Sequence, residues 1–156
     1  LFLGEVDCGF ALWYYAEKYQ TSLLSGFKKS IRAYESFVVS HLSKFYQNKI
    51  IIAGTVLPTI KDQTDKRLLA GARKEINIPL ADRTKLTILY NQKLKKIAKK
   101  HNLKYIDITN QILDTKTMTV NKKYTEKNLY DHHLNDELTY QLWIDQLDSA
   151  IAVHHI

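Results

Sequence analysis

The 156 residues contain one cysteine, two prolines and five glycines, and no acidic residue between Thr84 and Lys104. With Cys8 alone, no intrachain disulfide can form, so cysteine usage gives no sign of an oxidising compartment. Both prolines fall within residues 58–80, together with Gly71 and mixed charge, so the residues that interrupt regular structure are concentrated there. No apolar run approaches the ~20 residues needed to span a bilayer, and there is no signal-peptide pattern. There is no internal repeat and no low-complexity tract. What remains is 45% hydrophobic and 25% charged, the composition of a globular protein. One domain over residues 1–156 is expected, burying roughly 68–70% of its unfolded surface.

The net charge of +7 is unevenly spread. Lys85, Lys93, Lys95, Lys96, Lys99, Lys100 and Lys104 lie in the acid-free stretch. The first reading is the solvated face of a helix; the alternative is a patch for an anionic partner. Lysine rather than arginine argues against nucleic acid, for which guanidinium forks are favoured.

Three apolar runs read as buried strands: residues 2–6, 50–53 and 105–108. Phe27, Ile31, Tyr34, Val38, Leu42 and Phe45 form one helical stripe, with Ser25-Gly26 at its start. Leu86, Tyr90, Leu94 and Ile97 form another, ending at a His101-Asn102 cap. Asn135 reads as the N-cap of a last helix with Leu138, Leu142, Leu147 and Ile151 facing inward. Residues 58–80 read as an irregular excursion with a short helix near residues 66–74. Strands alternating with helices predict crossovers and a mostly parallel sheet covered on both faces. Ligands in such sheets bind beyond the strands' C-terminal ends, which brings residues 4–9, 54–59, 107–110 and 131–135 to one rim.

The chemistry-bearing stretch is Asp131-His132-His133-Leu134-Asn135. Asp131 can accept the Nδ1–H of His133, leaving Nε2 free to take a proton. Gly4-Glu5-Val6-Asp7-Cys8-Gly9 reads as a strand-ending turn, with Gly4 N–H a candidate oxyanion donor. Cys8 is a candidate nucleophile, but free cysteine is more often a small buried residue. His132 and His133 beside Asp131 can also be read as part of a metal site, although no further ligands are evident. His41 and His101 read as surface residues on helices, and His154-His155 as a tail.

Phe2-Leu3-Gly4-Glu5-Val6-Asp7, Ile50-Ile51-Ile52-Ala53-Gly54-Thr55-Val56-Leu57-Pro58, Tyr90-Asn91-Gln92-Lys93-Leu94 with Lys104-Tyr105-Ile106-Asp107-Ile108, and the Asp-His-His block resemble, in this order, the SGNH/GDSL hydrolase superfamily from its third block onward. The resemblance covers essentially the whole chain. It implies a three-layer α/β/α, flavodoxin-like sheet, and an esterase or O-acyltransferase acting on a small-molecule or glycan ester without a cofactor or metal. In it, Asp131 and His133 are catalytic, and Gly4, Glu5, Asp7, Gly54 and His132 are oxyanion or substrate-binding candidates. The spacing Asp-x-His resembles the branch that acetylates alginate-like polysaccharides. The Gly-Asp-Ser block that supplies the nucleophile is absent, as is the second block with its oxyanion glycine. Val6 stands where the family has Asn. None of the seven serines (22, 25, 30, 36, 40, 43, 149) has a strand-to-helix setting.

The chain opens on Leu1 directly into an apolar run, which predicts an upstream segment carrying the missing strand and serine. Without that strand, residues 2–6 would form an unpaired edge, prone to self-association. Three readings therefore stand beside one another: an acyl-ester enzyme, a non-catalytic module binding an anionic partner through its lysine-rich helix, and a metal-dependent hydrolase.

Overall fold

A computed structural model describes residues 6–46, 49–69, 71–75, 77–128 and 133–152. From Val6 the chain is already helical: a wide π-type turn over Asp7–Ala11 runs into α1 (Leu12–Lys18). The strand expected over residues 2–6 therefore cannot extend to Val6, and residues 2–5 lie outside the described part, as does the edge pairing expected of them. The local cause is the i, i+4 spacing of Cys8 and Leu12, which pack into one core, and the Trp13 Nε1–H that donates to Cys8 O at 3.0 Å. Gly9 has open space around its Cα, so the expected tight turn makes no demand on it.

Helix α2 (Leu23–Phe37) begins at Ser22, whose hydroxyl accepts from Ser25 N, rather than at Ser25-Gly26. It continues through a second π turn, Val38–Leu42, into α3 (Ser43–Tyr46). Phe27, Tyr34 and Val38 are buried as expected, but Phe45 is 78% exposed. The π turn explains the difference. Its i→i+5 bonding widens the helix by about one residue and rotates everything downstream off a stripe counted at 3.6 residues per turn.

Strands β1 (Ile51–Ala53) and β2 (Lys104–Ile106) pair in parallel, with Ile52 opposite Tyr105. They are joined through α4 (Leu80–Lys100), so the expected crossover is present. The chain is thus mixed α/β. Among the described residues the parallel sheet has two strands, and α4 and α6 (Asp136–Ala152) pack against β2. A short α5 (Thr109–Ile112) leads into an unforeseen two-residue hairpin, β3 (Leu113–Asp114) with β4 (Thr119–Val120). In place of a helix near residues 66–74 there are two separate 3-10 turns, Lys66–Leu68 and Gly71–Glu75; Gly71 has φ +59°, a conformation that suits glycine.

Helix α4 buries Tyr90, Leu94 and Ile97 as its spacing predicts, and Leu86 partly. It ends at His101, followed by Asn102 at φ +54°, the left-handed cap expected there. On α6, Asn135 Oδ1 accepts from Leu138 N at 3.0 Å, so it is the predicted N-cap. The inward face matches prediction in part: Leu142 packs inward as expected, but Leu138 and Ile151 are exposed, and Thr139 and Trp143 turn inward. Thr139 Oγ1 donates to Asn135 O at 2.9 Å, so its buried hydroxyl is satisfied within its own helix.

Two apolar clusters result. One joins Cys8, Phe27, Tyr34, Val38, Ile52, Tyr90 and Leu94; the other joins Leu57, Ile108, Ile112, Val120 and Leu134. Across the first, Glu35 of α2 accepts from Lys100 and meets His101 Nε2, each at 2.8 Å. His101 is therefore half-buried and paired, not a free surface residue. The bond from Lys100, and after it the bond to His101, holds the Glu35 carboxyl below the usual glutamate range. A depressed carboxyl contributes stability above its unfolded pKa, and that contribution is lost as pH falls through the folded value. Lys100 is largely solvated, so Glu35→Gln should cost only about 0.5 kcal/mol near neutrality. The cost should disappear in acid, below the ordinary glutamate range, as read by urea denaturation at neutral and acid pH.

Candidate functional site

His133 sits in the turn that enters α6, with an exposed side chain. Its backbone is fixed on the C-terminal side by a bridge between Thr125 and Leu134, by Asn135 N donating to Tyr124 O at 2.9 Å, and by burial of Leu134. His133 lines a cavity of about 110 Å³ together with Gly9, Phe10, Arg73, Arg83 and residues 58–60, the segment that follows β1. An adjoining cavity of about 250 Å³ shares Gly9, Phe10, Ile60, Arg73 and Arg83 and is edged by Lys61 and Lys66. The convergence expected of residues 4–9, 54–59, 107–110 and 131–135 is thus realised in part: Gly9, Pro58, Thr59 and His133 meet at one cleft, which residues 107–110 do not line. Asp131, His132, Gly4 and Glu5 lie outside the described residues.

The cleft's cationic wall was not legible in the sequence. Arg83, in the first turns of α4, is only 5% exposed. It donates to Ile60 O at 2.6 Å and to Ile78 O at 3.1 Å, and it faces Asp62 at 3.5 Å. Burial lowers its pKa, and Asp62 opposes that shift. Asp62 also accepts Leu80 N at 2.7 Å, supplying the cap that Pro79 cannot. Residues 60–62 are thereby tied to the start of α4. Arg73 stacks over Phe10 at 4.6 Å and carries charge to the cleft. The one sequence clue to Arg83 is that it is an arginine just ahead of a stretch whose only cationic side chains are lysines and one histidine.

Asp7 and Gly54 are placed elsewhere. Asp7 accepts a short hydrogen bond from Ser30 Oγ and lines a different, larger cavity. Gly54 N donates to Ile106 O at 2.8 Å, extending the parallel ladder, so this N–H is engaged in the sheet. Its glycine identity has a packing reason: a Cβ there would lie 2.7 Å from Tyr105 OH and 2.8 Å from Asp107 Cγ. Those groups cannot easily give way. Tyr105 OH donates to Asp107 Oδ2 at 2.8 Å, and Asp107 Oδ1 accepts Thr109 N at 2.7 Å at the start of α5. Gly54→Ala should therefore destabilise by about 2 kcal/mol, a fall in Tm of roughly 4–8 °C, measured by thermal unfolding.

Cys8 is fully buried. Desolvation, with Asp7 nearby adding to it, pushes its thiol well above the usual range, and Thr87 only partly offsets this. The thiolate needed for attack is suppressed, which leaves the packing role. Serines 22, 25, 30, 36, 40, 43 and 149 lie on helices or, for Ser22, at a helix cap. Ser30 Oγ bonds Asp7 and Tyr90. Among the described residues, no group of three or more His, Cys, Asp or Glu side chains could hold a metal ion. None of their helices is long and apolar enough to cross a membrane. Searches against protein-family models, curated proteins and solved structures find no match.

Proposed function

We propose that the chain supplies the acid–base part of an SGNH-type esterase or O-acyltransferase, in which His133 works at the cleft beyond β1. The observation that carries this reading is an exposed histidine, His133, lining a small cavity with residues 58–60 and the Gly9-Phe10 turn. In the mechanism, His133 removes a proton from a serine hydroxyl as it attacks an ester carbonyl. It then returns that proton to the leaving alcohol, with Asp131 orienting the ring. The cavity of about 110 Å³ has room for a short acyl group, on the scale of roughly 30 Å³ per water. Arg73 and the edging lysines favour an acidic glycan as the alcohol component. The fold that goes with this reading is the three-layer, flavodoxin-like sheet, of which β1 and β2 would be two adjacent strands.

The nucleophile in this reading is a serine from outside these residues, because the seven present have helical settings. The test is labelling of the full-length protein with a fluorophosphonate probe, followed by peptide mapping. A single modified serine, dependent on His133, is the expected result. No labelled serine, or labelling indifferent to His133, would sink the idea.

A second reading rests on the lysine-rich helix. Lys93, Lys95, Lys96 and Lys99 of α4 are all exposed, whereas Lys85 and Lys100 pair with Asp82 and Glu35. If this face binds an anionic polymer, heparin affinity should fall steeply between about 50 and 200 mM salt. Reversing the charge of all four lysines should remove most of that dependence, with His133→Ala having no effect. Retention unaffected by salt counts against it.

A further inference from the structure

The cavity of about 250 Å³ beside the His133 cleft is lined by four cations, Lys61, Lys66, Arg73 and Arg83. Asp62 is the one carboxylate among the described residues that line it. It is already engaged: it accepts Leu80 N at 2.7 Å and faces Arg83 at 3.5 Å. Asp65, the chain neighbour of Lys66, is held by both Nε and Nη2 of Arg67. Among the described residues, no carboxylate comes within ion-pair distance of Lys61, Lys66 or Arg73. Positive charge is therefore gathered around a concave space, unlike the open lysine face of α4. A concave wall of one sign concentrates counter-charge.

Three of these cations are held in place. Arg83 is buried, and the carbonyls of Ile60 and Ile78 accept from it. Carbonyls satisfy its donors without neutralising its charge, and a desolvated charge that is weakly neutralised is costly. Arg73 is half-buried, its guanidinium 4.6 Å from the centre of the Phe10 ring, which lines the same cavity. Lys66 donates to Asn77 Oδ1 at the cavity's edge. An anion entering the cavity meets charges that are already positioned, so little ordering entropy opposes it. The cations come from four separate places in the chain and converge on one space. A carboxylate offers them two coplanar oxygens and a single charge. A phosphate monoester offers three oxygens set on a tetrahedron and about −1.5 to −2 charges at pH 7. Guanidinium forks combined with ammonium point charges suit that group. The volume accommodates a phosphoryl group and the first atoms of its carrier, on the scale of roughly 30 Å³ per water.

We propose that this cavity binds a phosphate monoester, its phosphoryl group among Lys61, Lys66, Arg73 and Arg83. The phosphate would be the acidic group of the component whose ester chemistry takes place at His133, a placement that rests on the acyl-transfer reading; the binding itself does not. The test is calorimetric titration with glucose 6-phosphate, glucuronate and glucose at neutral pH and about 50 mM salt, where surface charge is weakly screened. These share a sugar ring and differ in the anion. Saturable 1:1 binding of glucose 6-phosphate is expected, with glucuronate about tenfold weaker and glucose silent. The double variant Lys61→Gln/Lys66→Gln and the single variant Arg73→Gln should each weaken glucose 6-phosphate about tenfold while leaving the fold intact by circular dichroism. Lys93→Gln/Lys95→Gln/Lys96→Gln removes even more positive charge, from α4 outside the cavity, and should leave the titration unchanged. So should His133→Ala, because His133 lines the neighbouring cavity and not this one. The proposal is overturned if glucose 6-phosphate does not saturate, if glucuronate binds as tightly, if the α4 variant weakens binding as much as the cavity variants, or if His133→Ala abolishes it. Loss of His133-dependent serine labelling, with phosphate binding intact, would instead sink the acyl-transfer reading alone.

Discussion

On the proposed acyl-transfer mechanism, His133→Ala should lower turnover of an acetyl ester by about 10³-fold, within the range for loss of a general base. That is roughly 4 kcal/mol of barrier. The fall should lie in kcat, with KM nearly unchanged, because in the proposed mechanism the imidazole would move a proton in the transition state and hold no part of the ester in the ground state. The turn should keep its fold, because the Thr125–Leu134 bridge, the Asn135 N–Tyr124 O bond and the buried Leu134 anchor it through groups other than the ring. A large loss of kcat with an unaltered Tm therefore separates catalysis from folding. On the same mechanism, Asp131→Asn should give a loss of similar direction by removing the group proposed to orient the ring. Full activity in His133→Ala would remove the acyl-transfer reading altogether.

What could be read from the sequence was local. The strands near residues 50–53 and 105–108, the stripe of α4, the left-handed Asn102 and the Asn135 cap each depend on side chains within a few positions of one another. The misses arise where a local rule meets a distant partner or a change of helical period. Val6 is helical because Cys8 and Leu12 share a core with Phe27 and Tyr90. Phe45 leaves its stripe because Val38–Leu42 winds as a π turn. Leu138 faces solvent while Thr139 turns inward. At the cleft, spacing and residue type singled out His133, and its chain position brought it to the segment after β1. Arg83 and Asp62 could not be found that way. Their roles consist of bonds to backbone groups of residues 60, 78 and 80, which exist only once α4 is docked.

Asn91→Ala should be among the most destabilising single substitutions, at about 3–4 kcal/mol. Asn91 is 3% exposed in the middle of α4. Its Oδ1 accepts Thr55 N at 2.7 Å, and its Nδ2 donates to Thr55 O at 2.9 Å and to Thr109 Oγ1 at 3.1 Å. One side chain thus imitates a neighbouring strand for Thr55 and joins the exit of β1 to the start of α5. Truncation leaves a small void and strands the buried polar groups of Thr55 and Thr109 that it served. Asn91→Asp should fare no better. It can still accept from Thr55 N, but it sets a carboxylate against the Thr55 carbonyl in a buried site. In urea unfolding the midpoint should drop with the m-value unchanged. A double-mutant cycle with Thr109→Val should return a coupling of about 1 kcal/mol for that bond alone. The same latch holds the segment leading to Pro58, Thr59 and Ile60 beside His133. On the acyl-transfer reading, any Asn91 variant that remains folded should therefore also lose ester turnover. A cost below about 1 kcal/mol would mean that Thr55 finds water or another partner when Asn91 is removed, and that residues 58–60 are positioned chiefly by the Arg83 and Asp62 clamp.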